Sequence, residues 1–136
     1  MILKGANVFL PDGTFSVCDV KFSDVIEAVG HFPEAEGEDA SGLYLTPGLI
    51  DVHTHGAMCC DFSDGKPEDL PVMAKHYAEH GVTSFLATTM TLPEETLVRA
   101  GKAVAGYSRG AGMARCMGMH MEGPFLSYGK RGAQCG

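Results

Sequence analysis

The sequence has few positive charges and no long apolar run, and both shortages exclude classes of partner. Its 10 lysines and arginines are outnumbered by 17 aspartates and glutamates, which gives a formal net charge of −7. No basic cluster is larger than Lys130-Arg131, so nothing predicts nucleic-acid binding. The apolar runs are far shorter than the roughly 18 residues that a membrane span requires, and the first residues lack the apolar core of a signal peptide. We therefore expect a cytoplasmic protein that binds neither nucleic acid nor a membrane.

The chain also lacks a regular cysteine pattern. Its five cysteines, at positions 18, 59, 60, 116 and 135, show neither even pairing nor the spacing of a zinc ribbon. Reduced thiols in a cytosolic protein explain them most simply. No internal repeat and no low-complexity segment is present.

What the sequence does contain is a pair of histidines at the end of an apolar run. Residues 45–56 read Leu-Thr-Pro-Gly-Leu-Ile-Asp-Val-His-Thr-His-Gly, with the pair at His53 and His55. The run that follows Pro47-Gly48 is too short for a helix and predicts a buried parallel strand. Because side chains at i and i+2 of a strand project from the same face, both imidazoles can reach one metal ion. Ordinary loop histidines are the alternative, since this spacing is common.

A second segment with metal-ligand chemistry lies near the other end of the chain, at residues 117–125. Strand alternation places His120 and Glu122 on one face, and Gly123-Pro124 ends the strand directly after the carboxylate. Imidazole and carboxylate together are the ligand set of hydrolytic zinc or iron sites. A solvated surface glutamate is the alternative. The opposite face carries three methionines, which we expect to fill a core beneath helices: Met117, Met119 and Met121.

Turn residues and periodicity predict the remaining elements. The predicted strands lie at residues 2–10, 15–22, 25–29, 45–53 and 82–88, with a last strand that ends at Glu122. A turn is predicted at 11–13 and an acidic loop at 32–41. One helix is expected from about 67 to 80, and a capping box at 91–94 predicts another that ends near Gly106.

Two further patterns have metal-binding interpretations that we disfavour. His76-Tyr-Ala-Glu-His80 matches the His-x-x-Glu-His motif of a class of zinc peptidases. The same helix carries a full apolar stripe, so we interpret this pair as structural, with His80 near the negative helix end. Cys59 and Cys60 follow the first histidine pair closely and could also approach a metal there.

With these residues in view, the chain resembles a known family. The Pro-Gly-Leu-Ile-Asp-Val-His-Thr-His segment resembles the amidohydrolase superfamily. The segments at 81–91, at 120–125 and at 130–133 are similar to the N-acetylglucosamine-6-phosphate deacetylase family in particular. The resemblance implies an α/β fold: the N-terminal part of a metal-dependent amidohydrolase (β/α)8 barrel, about three βα units, preceded by strands of a small β-sandwich domain. We place the sandwich strands at residues 1–45 and the barrel units at 46–136.

The resemblance also implies a site. Glu122 would be the principal ligand of a divalent metal, zinc or iron, while His53 and His55 would bind a second ion or help position the water. Main chain at Ala133 would contact the amino-sugar substrate, and Gln134 falls where relatives often carry histidine. No catalytic residue is expected in this chain, because the family's acid-base aspartate comes from the last barrel strand.

The function that the resemblance implies is removal of the acetyl group from N-acetylglucosamine 6-phosphate, which gives glucosamine 6-phosphate and acetate. The expected partner is therefore a small amino-sugar phosphate, and we expect the full-length protein to form a homo-oligomer. A complete barrel takes about 250 residues. This chain of 136 would accordingly be inactive alone.

Two alternatives remain open. A cyclic amidohydrolase of the dihydroorotase or hydantoinase type shares the Pro-Gly-x-Ile-Asp-x-His-x-His pattern. Such relatives typically bridge two metals with a modified lysine from strand four, whereas a glutamate ends strand three here. The other alternative is a non-catalytic truncated module that uses the scaffold only for binding.

Overall fold

A computed structural model describes residues 1–134 of the chain. These residues divide into two compact units, with the division between Pro47 and Gly48. Within the described part of the chain, no helix combines the length and the apolar character needed to cross a membrane.

The first unit is a five-stranded sheet. Its strands are β1 (Ile2–Phe9), β2 (Phe15–Phe22), β3 (Ile26–Gly30), β4 (Glu38–Asp39) and β5 (Tyr44–Leu45). β1, β2 and β3 are antiparallel neighbours, while β4 and β5 both pair in parallel with β1. The first three strands lie within one residue of their predicted bounds. Alternation along the strands buries a small core, which comprises Ala6, Val8, Cys18, Val20 and Ala40.

Two aspartates hold the backbone of this unit with their carboxylates. Asp12 accepts hydrogen bonds from the backbone N–H and the hydroxyl of Thr14, at 3.0 and 2.7 Å, in the turn predicted between β1 and β2. Buried Asp19 accepts bonds from Phe32 N and Gly5 N at 2.8 and 2.9 Å. These N–H bonds hold the pKa of the Asp19 carboxyl below its ordinary value, because they stabilise the ionised form.

The prediction that residues 32–41 form only a loop is wrong in part. β4 lies inside that segment, where Leu3 and Lys4 of β1 pair with its two residues. Gly37 approaches β1 so closely that a Cβ there would lie 2.8 Å from Ile2 O. The acidic composition of residues 32–41 does not predict a strand, because acidic residues are depleted in strands. The strand forms nevertheless, since its pairing with β1 is made by main-chain atoms.

The second unit alternates strands and helices. Its elements are β6 (Leu49–Thr54), β7 (Gly56–Ala57), β8 (Cys60–Asp61), α1 (Asp69–Glu79), β9 (Val82–Thr89), α2 (Glu94–Gly106) and β10 (Arg115–Met121). β6, β9 and β10 form a parallel sheet in the order β10-β9-β6, and β7 and β8 form a short hairpin. The described part of this unit thus has a sheet of three parallel strands and two α-helices, and the segment after β10 forms a short 3₁₀ turn at Tyr128–Lys130.

A core beneath the helices holds this sheet in place. Phe85 at the centre of β9 is fully buried, and its ring centroid lies 5.6 Å from that of Phe62 and 5.0 Å from that of Tyr77. The remaining buried members are Leu70, Met73, Ala74, Ala87, Ala103 and Ala114. Burial of such rings against a parallel sheet is the main source of its stability.

Three details of this unit correct the sequence-based expectations. The strand predicted at 45–53 begins only at Leu49, because residues 44 and 45 pair with β1 instead and Gly48 lies so close to Thr83 that a Cβ would overlap it. The capping box at 91–94 is absent. α2 begins at Glu94 without a side-chain cap, and the Thr91 hydroxyl bonds elsewhere.

The third correction concerns the methionines of β10. Met119 is partly buried, and its Cε lies 3.6 Å from the position that a Cβ on Gly101 of α2 would occupy, so it packs against that helix. Met117 and Met121 are instead 59% and 45% exposed. An irregularity in the pairing between Cys116 and Gly118 disturbs the alternation at this point.

Candidate metal centre

Two histidines and a glutamate meet at the carboxyl edge of the parallel sheet. His53 is the penultimate residue of β6, His55 follows that strand directly, and Glu122 follows β10 directly. Glu122 Oε2 lies 3.3 Å from His53 Nε2 and 3.1 Å from His55 Nε2. One ligand atom from each of the three residues lies within 4.8 Å of the others. The predicted convergence of these side chains is therefore confirmed.

Thr54, between the two histidines, anchors the strand end to the core. Its backbone N–H donates to Thr88 Oγ1 at 3.1 Å, and its hydroxyl lies 3.0 Å from the Tyr77 hydroxyl. Because successive strand residues point to opposite faces, this anchoring turns both histidines toward Glu122. Sequence reasoning missed the roles of Thr88 and Tyr77, although threonines at the end of β9 were a visible signal.

The donor set fits a divalent transition metal. Ligands about 2.0–2.1 Å from a tetrahedral ion lie roughly 3.3 Å apart, which is close to the two nitrogen–oxygen separations at Glu122. His55 Nδ1 is buried and has no hydrogen-bond partner among the described residues. A metal-bound imidazole typically donates from its other nitrogen. That contact is not found for His55 within residues 1–134, so the fit rests on the types of ligand and their separations. The chemistry and the spacing thus agree with the expected metal, and neither selects zinc over iron.

The carboxylate of Glu122 is held on its other side by a glutamine. Gln134 Nε2 donates to Glu122 Oε1 at 2.8 Å, and Gln134 Oε1 accepts from the backbone N–H of Thr91 at 3.0 Å. The Thr91 hydroxyl donates in turn to the main-chain oxygen of Glu122 at 2.9 Å. One loop after β9 therefore contacts the main chain of Glu122 directly and its side chain through Gln134.

A third histidine borders the cluster. The His120 ring packs edge-on against His53, with centroids 4.9 Å apart. Its Nδ1 lies 3.2 Å from Val52 O, and since a carbonyl only accepts, this nitrogen carries the proton. His120 thus links β10 to β6 across the intervening strand, on the face predicted for it.

The hairpin that follows His55 has a strained tip. Met58 and Cys59 both have positive φ values, 56° and 62°, which only glycine and asparagine adopt readily. No cysteine belongs to the metal-type cluster found among residues 1–134. Burial, and next the Asp69 carboxylate, raises the pKa of the Cys60 thiol, so this sulfur stays protonated at neutral pH.

The other predicted residues fall outside the cluster. Ala133 lies in an exposed turn directly before Gln134, and its substrate contact stays a prediction. His80 Nδ1 lies 2.8 Å from the main-chain oxygen of His76 at the end of α1, which agrees with a structural pair. Cys135 lies outside the described residues.

Comparison with known proteins identifies the relatives of this chain. No family model matches it. It is 34% identical, over 98% of its length, to the N-acetylglucosamine-6-phosphate deacetylase of Lysinibacillus sphaericus, of which it covers 36%. It is 33% identical, over 97% of its length, to the N-acetylgalactosamine-6-phosphate deacetylase of Escherichia coli O157:H7, of which it covers 35%.

Solved structures give the same result. The N-acetylglucosamine-6-phosphate deacetylase of Thermotoga maritima matches 99% of this chain and 35% of its own, with a TM-score of 0.79 and 27% identity. A variant of the N-acetyl-D-glucosamine-6-phosphate deacetylase of Mycobacterium smegmatis, solved in complex with N-acetyl-D-glucosamine-6-phosphate, also matches. The match covers 93% of this chain and 33% of that one, with a TM-score of 0.74 and 28% identity.

Fold and site together define a class: the chain shares the fold of a part of the solved N-acetylglucosamine-6-phosphate deacetylases and carries a His-His-Glu cluster that could hold a metal ion. Within that class, it is homologous over nearly its whole length to a part of the N-acetylglucosamine-6-phosphate deacetylases. It spans about a third of the length of these relatives.

Proposed function

We propose that the protein containing these residues is a metal-dependent deacetylase that converts N-acetylglucosamine 6-phosphate into glucosamine 6-phosphate and acetate. The observation that carries this proposal is the convergence of His53, His55 and Glu122 in a chain homologous to such deacetylases. The complex of the Mycobacterium smegmatis relative with the same sugar phosphate supports the choice of substrate.

A second substrate also has support. The Escherichia coli relative is a deacetylase of N-acetylgalactosamine 6-phosphate, and its identity to this chain is nearly that of the Lysinibacillus relative. The two sugars differ only in the orientation of one hydroxyl group. The identities of 34% and 33% do not separate the two relatives, so we treat the galactosamine compound as the alternative substrate.

The residues of this chain supply the metal-binding part of the mechanism. Glu122 and the two histidines would hold the ion, with the carboxylate providing the negative charge and the imidazoles neutral nitrogen donors. When bound, a divalent ion lowers the pKa of water and polarises a carbonyl. His120 and Gln134 keep the donors aimed at one point.

The remaining groups of the reaction belong to the rest of the proposed enzyme. We expect the acid-base aspartate and the phosphate ligands there, together with the strands that complete a barrel. We assign the protein to the cytoplasm, and the four free thiols at Cys18, Cys59, Cys60 and Cys116 support a reducing compartment.

Acetate release by the longest natural form of the protein tests this proposal. We expect turnover of N-acetylglucosamine 6-phosphate that is lost with a chelator and restored by zinc, iron or cobalt. Glu122→Gln removes the charged ligand at nearly constant shape, so it should lower both metal affinity and turnover by at least about 100-fold. Glu79→Gln is the matched control, because Glu79 is exposed on α1, where it forms an ion pair with Lys75.

Three results would contradict the proposal. Turnover of dihydroorotate or a hydantoin without acetate release would favour the cyclic amidohydrolase alternative. Faster acetate release from N-acetylgalactosamine 6-phosphate than from N-acetylglucosamine 6-phosphate would make the galactosamine compound the preferred substrate. Full activity of the Glu122→Gln variant would show that Glu122 is not a required metal ligand.

A further inference from the structure

We infer that Gln134 is a positioning residue for Glu122: its side-chain amide sets which carboxylate oxygen faces the two histidines. The inference rests on the proposed function, because it concerns the same metal centre. It goes beyond that function by assigning a role to a residue that is not one of the three proposed metal ligands.

The amide of Gln134 has its orientation fixed from both ends. Its oxygen accepts from the N–H of Thr91 at 3.0 Å, and its nitrogen donates to Glu122 Oε1 at 2.8 Å. A flipped amide would set its NH₂ against the N–H of Thr91 and its oxygen against the carboxylate. Both contacts would be repulsive, so only one orientation is stable.

This orientation gives the two carboxylate oxygens of Glu122 different partners. Oε1 is engaged by the Gln134 amide. Oε2 is the oxygen that lies 3.1 and 3.3 Å from the imidazole nitrogens of His55 and His53. A carboxylate whose second oxygen is hydrogen-bonded has less rotational freedom before it binds a metal, and such outer contacts typically change metal affinity 10–100-fold.

The main chain around Glu122 is fixed by the same loop. Glu122 N donates to Thr89 O at 3.3 Å, and the Thr91 hydroxyl donates to Glu122 O at 2.9 Å. Gly123 has φ +88°, and a Cβ there would overlap Thr91 Oγ1. With the backbone held in this way, rotation of the side chain is the freedom that remains, and Gln134 restricts it.

What the position requires is one hydrogen-bond acceptor and one donor at its two ends. A neutral histidine also offers one of each and could make both bonds. Methionine has a similar length but no donor, and glutamate has the shape but only acceptors when it is ionised. These three side chains therefore separate the hydrogen-bonding role from simple packing.

The test uses Co²⁺ as the probe, in the longest natural form of the protein. Affinity is measured by competition with a chelator, and the visible absorption of bound Co²⁺ reports its ligands. We expect Gln134→Met and Gln134→Glu to lower affinity about 10–100-fold and to change the spectrum. Gln134→His should stay within about threefold of wild type. Lys130→Met, an exposed change in the same segment, is the matched control.

Thermal melting of each variant separates misfolding from loss of binding. Unchanged affinity in both Gln134→Met and Gln134→Glu would overturn the inference, as would an equal loss in Gln134→His. Normal Co²⁺ affinities without acetate release would instead contradict the proposed function and leave the role of Gln134 standing. A wild-type protein that binds no Co²⁺ would contradict both.

Discussion

At the scale of single residues, His120 shows how a side chain can serve the cluster without belonging to it. Its Nδ1 proton is bonded to Val52 O, and its ring edge rests on His53. These contacts restrict the ring that carries one of the three proposed ligand atoms. Because β9 lies between β6 and β10, His120 is also a direct side-chain link between the two outer strands.

Substitution of His120 should therefore weaken metal binding by way of His53. We expect His120→Ala to lower Co²⁺ affinity about tenfold, since both the hydrogen bond and the ring contact are lost. His120→Phe keeps a ring against His53 and should lose less. Chelator competition measures both values. A Phe variant that is weaker than the Ala variant would contradict this account.

At the scale of elements, the sequence predicts those features that depend on neighbours along the chain. Alternation places His53 and His55 on one face, and Gly123-Pro124 predicts that the last strand stops at Glu122, one residue beyond its observed end, so the meeting of the three could be foreseen. The bond between Thr91 and Gln134 joins residues 43 positions apart. No local pattern indicates it, and it replaces the capping box that the sequence around Thr91 predicts.

The hairpin of β7 and β8 is an element that the sequence gives no reason to expect. Its two tip residues, Met58 and Cys59, have the positive φ values of a type I′ turn, for which Asn-Gly is the preferred pair. A left-handed conformation costs most L-residues about 1–2 kcal/mol each. The turn is nevertheless formed, and the bond from Phe62 N to His55 O, at 2.9 Å, ties the hairpin to the histidine.

Replacement of the tip by Asn-Gly should relieve this strain. We expect the double variant Met58→Asn, Cys59→Gly to raise the free energy of unfolding by about 1 kcal/mol, because the added chain entropy of glycine offsets part of the gain. Urea unfolding measures the change. Met117→Asn is the control, since Met117 is also exposed but has no positive φ, and it should not stabilise the protein. A destabilised double variant would show that the methionine or cysteine side chain contributes contacts that outweigh the strain.

At the scale of the whole molecule, the described part of the parallel sheet leaves apolar side chains in solvent. β6 is an edge strand here, with Leu49, Ile50 and Val52 exposed by 62%, 69% and 60%. Parallel sheets are ordinarily covered on both faces, and exposed apolar edges promote association. The sequence predicts the parallel strand correctly but its burial wrongly, because the described residues place no further strand beside β6.

Residues 1–136 produced alone should therefore self-associate at micromolar concentrations and release no acetate, because the expected acid-base aspartate is not among them. Light scattering with size-exclusion chromatography measures the association. Ile50→Lys with Val52→Lys should shift the fragment toward monomer, since both charges fall on the exposed strand. Val98→Lys is the matched control: Val98 is exposed on α2, and its change should leave association as it was. A fragment that is monomeric without these changes would mean that the exposed strand does not drive assembly, and acetate release by that monomer would show that the three-ligand cluster is catalytically sufficient.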